Sequence, residues 1–420
     1  MKNVFEENRK NLINLIKKES VVLIDSGKAP HKTTDQFYHY TTQRNFYYLT
    51  GLNEEKCKLV IIKSKKAVST LLFIEETTDY MRQWVGENIS KKEASNISNI
   101  SENKIYYLSQ FETIFRSLMT YGRGLGMTPP KYVYFDLYRV TPEEKPYALE
   151  QFKFVTDSYK ELKIENVNKE LSYLRMFKSE FEIGELQTAI DITKIALENV
   201  MDKLHVRTNE FQLAADFLHQ ITLEGSQGNS FNTIAASGEN ATVLHYEDNN
   251  GELNKDNLML FDLGALYNNY GSDISRTYPL SGKFNERQKT IYEIVLKANK
   301  ESIKFVKPGI TWKELNKYGK DILIKECKKI GLIKNDLEIN NYYFHSIGHF
   351  LGLDTHDVGQ YDLQLSEGMV ITIEPGLYIK EEGIGIRIED NILITKDGSK
   401  TLSKNIIKEV KDIEEYLSKA

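Results

Sequence analysis

Hydrophobic residues in the first 165 positions gather into short runs flanked by turn residues. Ser20 to Gly27 (SVVLIDSG), Asn45 to Leu52 (NFYYLTGL), Lys58 to Ser64 (KLVIIKS), Ser69 to Glu76 (STLLFIEE) and Lys131 to Tyr138 (KYVYFDLY) are rich in β-branched and aromatic residues. Such runs predict strands. Leu108 to Met119 has instead the apolar spacing of an amphipathic helix. The period then changes. Between Lys169 and Lys203, Leu171, Leu174, Phe177, Phe181, Leu186, Ala189, Ile192, Ile195 and Val200 broadly follow helical spacing among charged residues. This predicts a long helix, and the domain boundary is placed just before it, giving domains 1–168 and 169–420. Further helices are predicted at Glu210 to Glu224, Asn285 to Lys304 and Trp312 to Ile330. Strand candidates lie around Asn257 to Leu266, Met369 to Ile373 and Gly385 to Ile394. The second domain therefore reads as α+β, and no low-complexity tract or short-period repeat interrupts it.

Length and composition agree with two domains. The chain has 420 residues, 40% hydrophobic and 11% aromatic, enough for two sizeable cores. A net charge of −5 with 27% charged residues describes an ordinary polar surface, without the basic clustering that nucleic acid selects. Cys57 and Cys327 lie far apart, which excludes a disulfide framework and points to a reducing, cytoplasmic setting. The stretch Met1 to Lys18 is charged throughout and lacks the apolar core of a signal peptide. No segment reaches the roughly 18 apolar residues of a membrane span.

Five side chains in the last third change this bland picture. Asp262, Asp273, His349, Glu374 and Glu389 each sit in an apolar or glycine-rich run, where an isolated charge is costly to bury. In FDLGALYNNYGSDISRTYPL, Asp262 and Asp273 are eleven positions apart across a Tyr/Asn/Gly turn. Two antiparallel strands would bring both acids to one metal pair. A hairpin with one turn acid and one cap is the plainer alternative. In HSIGHFLGLDTHDVG, three of the chain's eight histidines, His345, His349 and His356, fall within twelve residues. Gly348 and Gly352 argue for extended or irregular backbone there, and the histidines read either as ligands or as hydrogen-bonded structural residues. Glu374 in ITIEPGLYI ends a strand at a Pro-Gly turn. Glu389 in GIGIRIEDNILIT lies two residues after Arg387, so an Arg387–Glu389 ion pair is the structural alternative. Four carboxylates and one histidine together fit two divalent cations, and such a site implies hydrolysis.

In this order, Asp, Asp, His, Glu, Glu, the chain resembles the pita-bread metallopeptidases. The HxxGHxxGxxxHD string from His345 to Asp357, EPGLY and RIEDN are similar to the proline-peptidase branch. LRMFKSEFEI (Leu174 to Ile183), AASGENATVLHY (Ala235 to Tyr246) and NFYYLTGLNE extend the likeness over nearly the whole chain. It fits aminopeptidase P best, with prolidase as the nearest alternative and a non-catalytic protein on the same fold as a remoter one. The resemblance implies an α+β pita-bread catalytic domain behind a smaller creatinase-like α/β domain. It also implies two Mn2+ ions per subunit, with Co2+ or Zn2+ possible in vitro. Asp273 and Glu389 would bridge the ions, Asp262 would chelate one, and His349 and Glu374 would complete the other. A hydroxide between the ions would attack, Glu374 would shuttle the proton, and His245 and His356 would contact substrate or the tetrahedral intermediate. His345 would line a proline pocket, and Arg387 would orient a ligating carboxylate. The implied partners are peptides with proline in second position, and a second copy of the chain in a homodimer or larger homo-oligomer. Two positions depart from the family pattern without touching the ligands: Thr355 replaces an aliphatic residue, and Leu197 a histidine found in bacterial relatives.

Overall fold

The computed structural model describes residues 3–120, 129–139 and 141–419. It divides into two compact units, Met1–Arg175 and Met176–Ala420.

The first unit is built on one mixed sheet. Its strands are β1 (Ser20–Asp25), β2 (Lys58–Lys63), β3 (Val68–Ile74), β4 (Ile105–Tyr107), β5 (Tyr132–Phe135) and β6 (Lys163–Asn166), in the order β4-β3-β2-β1-β5-β6. β2 runs antiparallel to β1 and β3, whereas β5 runs parallel to β1 and β6. Alternate residues Val21, Leu23, Val60, Ile62, Leu71 and Phe73 share a core with Phe111, Phe115 and Leu118 of helix α1 (Phe111–Leu118). Four of the five predicted strands form. The fifth does not: Arg44–Thr50 is a helix ending on Gly51 in the left-handed region (φ 72°). Here burial of Asn45 to Thr50 on every side removes the periodicity that distinguishes helix from strand.

The second unit carries the candidate chemistry. Helix α2 (Glu180–Met201) packs on α3 (Glu210–Leu223), and α4 (Glu286–Phe305) on α5 (Trp312–Lys329). The long predicted helix breaks before α2, because Ser179 caps it through a reciprocal bond with Glu182. Just upstream, Phe177 bridges Met369 and the Lys178 N–H donates to Gly368 O (2.8 Å), which holds the intervening backbone extended. The other three helices predicted in this unit form within a residue of their expected ends.

Two three-stranded antiparallel sheets and two short hairpins lie in this unit among the described residues. One has the order β9-β8-β7, from β7 (Ile234–Ser237), β8 (Leu258–Leu263) and β9 (Ile274–Pro279). The hairpin of β10 (Gly376–Ile379) and β11 (Ile384–Arg387) stands separate from the other sheet. That sheet pairs the strand β12 (Asp390–Thr395) with Val370–Ile373 on one side and Gly398–Thr401 on the other. Helix α4 lies across the Val370–Ile373, β10 and β11 segments. Ile347, Phe350, Met369, Ile371, Ile373, Ile392 and Trp312 form the apolar core beneath.

Candidate metal centre

All nine residues singled out in the sequence, Asp262, Asp273, His245, His345, His349, His356, Glu374, Arg387 and Glu389, line one cavity of about 470 Å3. Strand breaks place them there. Asp262 lies on β8, opposite Ser275 of β9, and Asp273 sits one residue before β9 begins. Its backbone is clasped by Asn391, whose Nδ2 donates to Asp273 O (2.6 Å) while its Oδ1 accepts from Asp273 N–H (3.3 Å). Glu374 follows the end of Val370–Ile373, and Glu389 falls in the two-residue gap between β11 and β12. The His349 segment is irregular, as its glycines predict. It runs beside Val370–Ile373, with Thr372 N–H donating to His349 O (2.9 Å) and Glu374 N–H to Ile347 O (2.8 Å).

The ligating atoms converge. Asp273, His349 and Glu389 each present one such atom, all within 4.8 Å of one another. His349 Nε2 lies 3.3 Å from Asp273 Oδ2, 3.5 Å from Glu374 Oε1 and 4.0 Å from Glu389 Oε1. Its Nδ1 is 2.9 Å from Phe350 O, so Nδ1 carries a proton and Nε2 is the atom turned toward the carboxylates. Glu389 Oε2 accepts from Ser275 Oγ (2.7 Å). Two buried carboxylate oxygens, Asp262 Oδ1 and Glu389 Oε1, accept no hydrogen bond from any described residue. Buried acceptors are rarely left so.

Burial raises the carboxyl pKa of Asp273 and Glu389 well above the ordinary range, and the neighbouring acids push in the same direction. Burial also raises that of Glu374, against the pull of His349 and Arg387. One cation faces the group directly. Arg387 does not pair with Glu389; its Nη2 donates to Asp262 Oδ2 (2.5 Å), Nε to Ser275 Oγ (2.8 Å) and Nη1 to Tyr378 Oη (3.0 Å). The Tyr378 hydroxyl in turn lies 2.9 Å from His345 Nε2. Desolvation lowers the pKa of His345 to about 4, so the neutral ring accepts the Tyr378 proton. His356 stands edge-on to His349 at 4.2 Å between ring centres. Desolvation and the adjacent His349 bring it to about 4 as well, though part of its surface is open. His245 sits on an exposed loop at the rim.

An oxygen-rich donor set, two orphaned carboxylate oxygens and three acids whose pKa is raised by burial among other acids fit divalent cations. Ser275, Thr372, Tyr378 and Asn391 complete the arrangement and were not singled out in the sequence. Uncharged polar residues in strands carry no warning of burial, and only the i, i+2 spacing from Asp273 to Ser275 places both on one strand face.

The sequence profile of metallopeptidase family M24 matches residues 184–396, and that of the aminopeptidase P N-terminal domain matches residues 5–125. Xaa-Pro aminopeptidase from Haemophilus influenzae is 32% identical over 99% of this chain and 97% of its own length. A Bacillus anthracis structure named for aminopeptidase P superposes with a TM-score of 0.96 at 43% identity, covering 100% of this chain and 99% of that one. Escherichia coli aminopeptidase P in complex with substrate gives 0.89 at 30% identity, covering 99% and 98%. The α+β pita-bread architecture and the distinct amino-terminal domain are shared with these structures. The chain belongs to metallopeptidase family M24.

Proposed function

We propose that this protein is an Xaa-Pro aminopeptidase, removing the first residue of peptides whose second residue is proline. The observation that carries the reading is the convergence of four carboxylates and His349 on one cavity rimmed by three further histidines. In this reading Asp273 and Glu389 would help hold two divalent ions, Asp262 would serve one of them, and His349 and Glu374 would serve the other. The oxygen-rich set favours manganese, with cobalt or zinc as substitutes in vitro. When bound, such ions supply Lewis acidity and a water nucleophile ionised near neutral pH.

The remaining chemistry falls to the chain. Arg387 fixes the Asp262 carboxylate through its 2.5 Å contact. Glu374, whose Oε1 accepts from Thr372 Oγ1 at 3.4 Å, holds a proton more readily than an exposed glutamate and passes it to the departing nitrogen. That step matters before proline, whose tertiary amide has no N–H. His356 and His245 face the peptide carbonyl, where a neutral imidazole N–H stabilises developing negative charge. His345, fixed by Tyr378, lines the recess for the pyrrolidine ring.

We further propose a cytoplasmic homo-oligomer divided near residue 168, with an amino-terminal domain that limits substrate length or contacts another copy. Prolidase activity is the alternative, because Xaa-Pro dipeptidase from Pyrococcus horikoshii is 31% identical over 96% of this chain and 98% of its own length. An assay of Xaa-Pro-Xaa tripeptides beside Xaa-Pro dipeptides with Mn2+ decides between them. Tripeptide cleavage is expected; turnover of dipeptides alone would establish prolidase.

A further inference from the structure

Asn299 is fully buried on helix α4, behind the floor of the cavity. Its Nδ2 donates to Ile373 O (3.1 Å) and to Ile388 O (3.2 Å). These carbonyls belong to the residues immediately before Glu374 and Glu389. Ile373 is the last residue of its strand, opposite Asp390, and Ile388 lies in the gap between β11 and β12, so the amide adds a donor where regular pairing ends. A carbonyl and the following N–H share one rigid plane. In both planes the second edge is also held: Glu374 N–H donates to Ile347 O (2.8 Å) and Glu389 N–H to Ser275 O (3.0 Å). One carboxamide thus fixes the peptide planes from which two of the converging carboxylates spring.

The amide cannot turn over without loss. Its Oδ1 accepts from Lys408 Nζ (2.8 Å), which also bonds Asp390 Oδ2 (2.5 Å). An ammonium only donates and a carbonyl only accepts, so a flipped Asn299 would mismatch all three contacts. Asp390 is held in turn by Arg276 Nη2 (2.8 Å) and Ser403 Oγ (2.7 Å), and Arg276 Nη1 donates to Glu389 O (2.6 Å). The frame therefore closes on Glu389 from both sides.

We propose that Asn299 is a positioning residue of the metal centre, its carboxamide setting the separation of the Glu374 and Glu389 carboxylates and hence the affinity for divalent cations. The inference rests on the metallopeptidase reading above. The test is calorimetric titration of the metal-free full-length protein with Mn2+, beside thermal unfolding in EDTA. Asn299→Ala should weaken Mn2+ binding roughly 10- to 100-fold, the usual cost of losing an outer-sphere partner. Ile291→Ala, a buried change elsewhere on α4, should lower the unfolding temperature without that loss. Lys408→Met, which frees the amide to flip, should weaken binding several-fold, and it decides the matter if Asn299→Ala does not fold. Wild-type affinity in Asn299→Ala, or in Lys408→Met if that variant stands in, overturns the proposal. So does an equal affinity loss in Ile291→Ala. Wild-type protein that binds Mn2+ yet cleaves no Xaa-Pro peptide refutes the peptidase reading alone, while wild type that binds no Mn2+ refutes both.

Discussion

Replacing Arg387 by methionine should destabilise the metal-free protein far more than the metal-loaded one. The guanidinium is 5% exposed and supplies hydrogen bonds to Asp262, Ser275 and Tyr378. It is the cation set directly against an otherwise acidic group. Methionine preserves much of the volume but leaves Asp262, largely withdrawn from solvent, without its partner. Breaking a buried ion pair from one side costs about 3–5 kcal/mol. At 2–4 °C per kcal/mol for a domain of this size, that is a fall in Tm of roughly 6–20 °C in EDTA. Divalent cations would take over the neutralising role, so with saturating Mn2+ the fall should be less than half as large. Differential scanning calorimetry of both proteins in both conditions measures the four values needed. Equal losses with and without Mn2+ would refute the reasoning, because Arg387 would then act through packing alone.

Three further outcomes follow from the same site. Asp273→Ala should retain its fold but lose bound metal, as measured by inductively coupled plasma mass spectrometry after dialysis; undiminished metal content would remove Asp273 from the ligand set. In EDTA, wild-type stability should fall as pH rises above about 5. Carboxyls with raised folded-state pKa, as at Asp273 and Glu389, contribute fully below the unfolded value near 4 and lose that contribution as pH climbs through the folded value. The double variant Asp273→Asn, Glu389→Gln should flatten this slope, and parallel wild-type and variant curves would contradict the assignment. Finally, His356→Ala should reduce kcat about 100-fold with metal content unchanged. With both His345 and His356 near pKa 4, the wild-type rate profile should show no limb from either ring between pH 6 and 8, and a shift of any such limb in His356→Ala would contradict it.

The charged members of the site were legible because a carboxylate inside an apolar strand conflicts with its surroundings. Asp262, Glu374 and Glu389 all announce themselves in that way, and the crowding of His345, His349 and His356 within twelve residues does so too. The polar frame was not legible. Asn299 looks like any helix asparagine, and Ser275 and Asn391 look like ordinary strand residues, because their importance lies in groups distant in the chain that they hold rather than in local pattern. The resemblance implies that Arg387 orients a carboxylate, and its guanidinium meets Asp262, whereas spacing alone pairs it with Glu389. The two structural misreadings have the same origin. At Arg44–Thr50, burial on all sides hid the helical period, and at Phe177–Ser179 a cap and a distant backbone partner, neither visible in the apolar spacing, split one expected helix into two.

The converging side chains come from three well-separated stretches of the sequence: the β8–β9 hairpin, the His349 loop, and the strand ends around Glu374 and Glu389. An ion held by Asp273 and Glu389 joins positions 116 residues apart (389 − 273), a span over which a disulfide would also act. Unlike a disulfide, the ion ties only the folded chain, so the stabilisation it gives grows with its free concentration, reaching about 2.7 kcal/mol at one hundred times its dissociation constant. The lifetime of the protein in a cell would thereby follow the supply of whichever divalent ion the site takes up. Ion starvation would be felt first as faster proteolytic turnover of the emptied chain, and not only as idle enzyme.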